Sequence, residues 1–177
     1  MNDEQPTVEH VIEQLRRIQA NTDGVLESLE DDRRQIELNA ARLEGPNAAL
    51  EYIDFFSGFF THVSSECQRI AGELPEGMRR IHLDTLRQMA TNGAAEQRRC
   101  LQFRDKWINK PLFDETLRPL LNTISLVTRD QLVAFRTLAE IAGELEKSTS
   151  PQDPREENKT LDRRALLTRL FKPPDDA

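Results

Sequence analysis

Three histidines, two cysteines and 31 acidic residues are the side chains of this 177-residue sequence that could bind a metal or carry catalysis. A site needs several polar groups converging on one place, so spacing matters more than number. None of His10, His62 and His82 falls in a Glu-x-x-His pair, the pattern by which di-iron bundles hold their metals. His62 and Glu66 stand one helical turn apart with Cys67 beside them, the nearest approach to a ligand cluster. A lone histidine on a helix is more often a structural or solvated residue than a ligand. Neither a metal nor a cofactor is expected.

The cysteines lead the same way. Cys67 and Cys100 fall on apolar faces, where a free thiol behaves as a small hydrophobe. The helical register developed below separates them by roughly 22 Å along the axis, against the ~7 Å between Cα atoms that a disulfide tolerates. Unbridged cysteines suit a reducing compartment, and a cytoplasmic location is expected. The chain has no glycine-rich phosphate loop, no Gly-x-Ser-x-Gly elbow and no Cys-x-x-Cys. No catalytic residue is assigned, and the sequence reads as that of a non-enzymatic protein.

What must position these side chains is helical throughout. Thr7, after Pro6, is a good N-cap, and the first segment runs from it to Glu44, where Gly45-Pro46 stops it. Heptad spacing puts Val8, Leu15, Thr22, Leu29, Ile36 and Leu43 at one core position and Val11, Ile18, Val25, Asp32 and Asn39 at the other. Eight of these eleven are apolar, a coiled-coil-like seam. Asn21-Thr22-Asp23-Gly24 marks a candidate break within it. The second segment, from Asn47 as N-cap to just before Pro75-Glu76-Gly77, carries an all-apolar seam of Ala49, Ile53, Phe56, Phe60, Val63, Cys67, Ile70 and Leu74. Tyr52, Phe55 and Phe59 widen that stripe, as befits a helix inside a bundle. A third segment spans about Met78 to Ile108. The fourth begins near Pro111 or Pro119 and ends near Lys147, with Pro119 suited to a first turn. No segment alternates as a strand does. The fold class is all-α, an antiparallel four-helix bundle of long, coiled-coil-like helices over residues 1–147. Connections of about three residues force neighbouring helices antiparallel. A fold-back near residue 76 then sets Gly93 against Phe59 and Ala94 against Gly58.

Charge and composition narrow the partners. A net charge of −7 argues against a nucleic-acid partner, since phosphates are held by excess Lys and Arg. Residues 1–44 carry eleven acids against five bases, whereas residues 78–110 carry eight bases against three acids. The plainer reading of that basic segment is that it packs beside acidic neighbours and sets their pairing; the sharper is a strip for an anionic partner. No run of about 20 uncharged apolar residues is present, so no membrane span is expected.

Two features point to protein partners. The first helix, read to Glu44, is longer than the other segments can cover, so part of its seam (Val11, Leu15, Ile18, Val25, Leu29 and Ile36) is expected to join a second copy in a homo-oligomer. From Ser148 the chain has no apolar residue for twelve positions, and then Leu166, Leu167, Leu170 and Phe171 form one stripe of a short amphipathic helix over 160–171. Residues 148–177 therefore read as a disordered linker and a mobile tail whose helix docks either on a groove of its own bundle or in a partner's groove, the recruiting reading being the second. The function expected is that of a scaffold, adaptor or assembly factor. An alternative reading is a ligand-binding or sensory bundle with an aromatic pocket formed by Tyr52, Phe55, Phe59 and Gly93.

Overall fold

The computed structural model describes residues 7–42, 46–107 and 113–149. Four α-helices are found among them: α1 (Val8–Leu38), α2 (Pro46–Glu73), α3 (Arg80–Trp107) and α4 (Phe113–Thr149). A single 3-10 turn, Leu74–Glu76, links α2 to α3, and there is no strand among the described residues.

Local chemistry sets the helix ends. Thr7 Oγ1 accepts the His10 N–H at 3.3 Å and caps the start of α1. At the other end the Asn39 backbone N–H and its Nδ2 both donate to the Gln35 carbonyl, the latter at 2.8 Å. This side-chain bond gives the last turn an alternative to propagation, and α1 closes at Leu38, earlier than the expected stop at Gly45. The candidate break at residues 21–24 does not materialise. Thr22 bonds back to the Ile18 carbonyl at 2.7 Å, and the helix runs through. Pro46 opens α2 at a position where its missing N–H has no intrahelical partner anyway. Gly77 has φ +118°, a backbone state open to glycine, and it lets the chain reverse after the 3-10 turn. α4 starts at Phe113, near the first of the two starts the prolines offer, and runs through Pro119 without a second start there.

The packing fixes the topology. One apolar cluster joins Val11, Leu15 and Ile18 of α1 with Val63, Cys67 and Ile70 of α2, Leu83, Leu86 and Met89 of α3, and Phe135, Leu138 and Ala142 of α4. A second joins Leu29 and Ile36 with Ile53, Phe56 and Phe60, with Cys100 and Phe103, and with Leu120, Leu121 and Ile124. The start of each odd helix shares a cluster with the end of each even one. The bundle is therefore antiparallel, up-down-up-down. Cross-links between helices give the neighbours: Ser64–Asp23 and Arg33–Asp54 tie α1 to α2, Tyr52–Arg99 ties α2 to α3, Cys100–Leu121 ties α3 to α4, and Gln131–Thr22 ties α4 to α1. α1 and α3 thus occupy opposite corners.

This arrangement corrects the oligomer seam. Val11, Leu15, Ile18, Leu29 and Ile36 are buried within the chain's own core, and Val25 packs against its second cluster. The excess length that was to leave seam uncovered is absent, because α1 at 31 residues is close to α2 and α3 at 28 each.

Candidate functional site

Between the two apolar clusters lies a polar level to which three helices contribute. Gln131 Nε2 donates to Thr22 Oγ1 at 2.8 Å, across 109 residues of sequence. Thr22 in turn donates to Ile18, and Thr128 donates to the Ile124 carbonyl at 2.8 Å. Thr22, Thr128 and Gln131 are all buried. Gly93 of α3 sits at the same level: a Cβ built on it would meet Leu132 Cβ at 3.7 Å and the Thr128 carbonyl at 3.8 Å. Two acceptors there are buried without a hydrogen-bond partner, Gln131 Oε1 and Glu96 Oε2.

The contact for Gly93 corrects one expectation and leaves another standing. The α2–α3 facing about residue 76 holds, since Tyr52 reaches Arg99 and Phe103, and Glu73 reaches His82. Gly93, however, lies on the side of α3 turned to α4, not to Phe59. Facing by level along the axis says nothing about rotation around it, and the smallness of Gly93 serves the α4 backbone.

The aromatic residues of α2 divide accordingly. Tyr52 stacks on Phe103, and its hydroxyl donates to the Arg99 carbonyl at 3.3 Å. The Arg99 guanidinium carbon lies 4.2 Å above the Phe55 ring, a cation–π contact. Phe59 is half-buried against both clusters. A cavity of about 250 Å³ opens beside Tyr52, lined by Ala48, Glu51, Gln102, Phe103 and Lys106. Of the four residues expected at a pocket, Tyr52 lines this one; Phe55, Phe59 and Gly93 do not. Its volume is below the ~300–1,000 Å³ of sites that enclose a drug-sized ligand.

The turn between α2 and α3 holds the densest polar cluster. Buried His82 accepts the Arg79 N–H on Nδ1 at 3.2 Å, which leaves Nε2–H to donate to Glu73 Oε2 at 2.9 Å. Glu73 also receives Arg69 at 2.9 Å and Arg79 at 3.0 Å. The hydrogen bond from His82, followed by that from Arg69, holds the Glu73 carboxyl below its usual range. His82 stands third in α3 and reaches back to the residue before it, the reciprocal geometry of a capping box with imidazole in place of a carboxylate. Both ring nitrogens are engaged, so the ring has no lone pair for a substrate while the cap is intact. This role was readable from Arg79-x-x-His82 directly after Pro75–Gly77, and composition-level reasoning about lone histidines passed over it.

The remaining candidates are dispersed. His10 and His62 are exposed. Glu66 turns to Arg69 at 2.7 Å and not to His62. Among the described residues, no group of three or more His, Cys, Asp or Glu is placed to hold a metal. Burial pushes the thiol of Cys67 up to about 12 and that of Cys100 up to about 11, so both stay protonated and weakly nucleophilic. Cys100 donates its S–H to the Leu121 carbonyl at 3.4 Å.

The basic α3 pairs mostly with itself. Arg80 and Arg87 share Asp84 at 3.8 and 3.6 Å, and Arg104 turns to Asp105 at 3.0 Å. Arg79, just before the helix, reaches α2 through Glu73. No described helix is long and apolar enough to cross a membrane. The tail residues Leu166, Leu167, Leu170 and Phe171 lie outside the described residues. Comparison of the chain with protein-family models, with curated proteins and with solved structures finds no match.

Proposed function

We propose that this chain is a non-enzymatic interaction protein, a scaffold, adaptor or assembly factor, in which the helical bundle is a rigid body and the 160–171 stretch recruits a protein partner. The observation that carries the reading is where apolar surface remains once the bundle has closed its own core. Leu126 and Val133, 51% and 58% exposed, stand one heptad apart on the outer line of α4. Apolar residues at that spacing are what a partner helix covers. The tail supplies a second apolar stripe, Leu166, Leu167, Leu170 and Phe171, on a helix too short to be stable alone in water. Such a helix gains its order from the surface on which it docks. Of the polar groups described above, His82 and Glu73 are engaged at the start of α3, and Thr22 and the Gln131 amide nitrogen bond each other inside the bundle. The protein is active, on this account, in a reducing compartment such as the cytoplasm.

The test is proximity labelling in cells with the full chain and with a Leu166→Asp, Leu170→Asp double variant. Loss of a defined set of labelled proteins, with the far-UV circular dichroism unchanged, is the expected result. An identical set from both chains refutes recruitment by the tail.

A further inference from the structure

We infer that the bundle associates with a second copy of itself, the outer face of α1 on one copy lying against the outer face of α3 on the next. This rests on the interaction-protein reading and names the surface through which the first helix self-associates, its buried seam having been claimed by the bundle core.

The two faces are complementary in charge. At 100° per residue, the buried line of α1 leaves Glu9, Glu13, Ala20, Gly24, Glu27 and Asp31 on the opposite side, and all six are exposed. Glu9, Glu13 and Glu27 have no ion pair with any described residue, and Asp31 meets Arg34 of its own helix at 3.6 Å. Arg16 and Arg34 lie at the edge of this line. On α3 the corresponding outer residues are Arg80, Asp84, Arg87, Thr91 and Arg98, three cations to one acid, with Ala94 and Ala95 half-buried beside them. Arg80 and Arg87 share one carboxylate, and Arg98 has no ion pair among the described residues. Over its whole length α3 has six Arg and Lys against three Asp and Glu, and α1 has eight Asp and Glu against four Arg. Among the described residues, Arg80, Arg87 and Arg98 therefore make no ion pair with a neighbouring helix.

The two faces also match in spacing. Glu9 and Glu27, like Glu13 and Asp31, are about 27 Å apart along the axis at 1.5 Å per residue, the separation of Arg80 and Arg98. Between the charges each helix carries short side chains, Ala20 and Gly24 on α1 and Thr91, Ala94 and Ala95 on α3. A Cβ at Gly24 would meet nothing within 4 Å. Short side chains let two axes approach at the close end of the usual helix–helix distance. Since α1 and α3 stand at opposite corners, each molecule offers both faces to different neighbours. The contact is thus heterologous, head to tail. Exposed charge pairs give register and steering more than affinity, so the association is weak and sensitive to salt.

The experiment is sedimentation velocity of the full chain across a concentration series at about 20 mM and about 500 mM NaCl, salt concentrations whose screening lengths differ severalfold. The expected result is a weight-average mass at least double the monomer's 20.4 kDa at low salt and near 20.4 kDa at high salt. Arg87→Glu with Arg98→Glu, and separately Glu13→Arg with Glu27→Arg, should each return the low-salt mass to the monomer with unchanged circular dichroism. An equimolar mixture of the two variants should restore assembly, because each reversed face then meets its complement on the other chain. A wild-type chain that stays monomeric at low salt overturns the proposal, as does assembly that survives both reversals or fails to return on mixing. A monomer whose α3 binds a DNA duplex overturns it in favour of a nucleic-acid partner. Leu166→Asp with Leu170→Asp leaves the assembly intact if the bundle faces carry it. Loss of assembly in that variant overturns the proposal while leaving the tail's recruiting role standing.

Discussion

Replacing Thr22 by valine exchanges a hydroxyl for a methyl of nearly equal volume, so the packing at the polar level is kept and its hydrogen bonds change. Thr22 Oγ1 donates to Ile18 and therefore offers Gln131 a lone pair, which is why the amide turns its NH2 inward. Gln131 is 6% exposed and its Oε1 already lacks a partner. In Thr22→Val the whole amide is left buried and unpaired, a loss of about 1–3 kcal/mol. For a chain of this size each kcal/mol moves Tm by about 2–4 °C, so a fall of roughly 2–12 °C is expected. Gln131→Met acts in the opposite sense. It gives up a hydrogen bond worth about 0.5–1.5 kcal/mol and removes an unpaired carbonyl whose burial costs about 1–3 kcal/mol, while Thr22 keeps its bond to Ile18.

Gln131→Met is therefore expected at or above wild-type stability, and the Thr22→Val, Gln131→Met double variant above Thr22→Val alone. Urea unfolding followed by circular dichroism measures all four chains, with the m-value checked for constancy. The informative quantity is the coupling in the double-mutant cycle. Should Gln131→Met lose as much as Thr22→Val, and the two losses add, the unpaired carbonyl is not a burden on the fold and the reasoning fails.

Gly93→Ala is expected to stabilise by up to about 1 kcal/mol from helix propensity, since its Cβ meets Leu132 in ordinary contact; Gly93→Leu should cost about 1–3 kcal/mol by overpacking against α4, and equal melting temperatures for the two would refute the placement. The Glu73 carboxyl titrates below its ordinary 4.5 in the folded chain, so its stabilisation is present above that value and is lost as pH falls through the lower folded value. Glu73→Gln should flatten the acid limb of Tm against pH below about 4.5, and an unchanged limb would contradict the cluster. Burial, then Asp31, raises the Asp32 carboxyl, so folding works against its charged form above the unfolded value. Asp32→Asn should then raise Tm at pH 7 and not at pH 3, as thermal scans at the two values would show. Cys67 and Cys100 should react with a disulfide reagent at pH 8 only as fast as the bundle opens, and prompt labelling of the native chain would contradict their raised values.

The apolar seams were legible in the sequence because side-chain burial follows helical period. Every residue assigned to the second segment's seam, from Ala49 to Leu74, is buried. Helix ends were less legible. Pattern alone carried the first helix on to Gly45, whereas one side-chain bond from Asn39 closes it at Leu38. The oligomer seam failed with it, since its argument needed the extra turns. Rotation about an axis is likewise invisible to a pairing estimate, which is why Gly93 reached the right level and the wrong neighbour. His82 shows a third limit: a histidine was weighed as ligand or filler, and its use as a helix cap depends on a reversal that composition does not register.

The polar level bears on what kind of body the bundle is. Heptad positions of α1 would admit an apolar residue at 22, and the four helices could then slide by a turn with little penalty to a continuous greasy core. A hydrogen bond between residues 22 and 131, with Gly93 admitting the α4 backbone at the same level, selects one register at some expense of stability, as a single buried polar residue does in a coiled coil. A fixed register matters to a protein that works through its surface, because it decides which charges line up outside. Slipping α4 by one turn would carry Leu126 and Val133 about 5.4 Å along the bundle while leaving α1 in place. The interior hydrogen bond and the exterior faces of α1, α3 and α4 are therefore one problem: the first holds the pattern that the second presents.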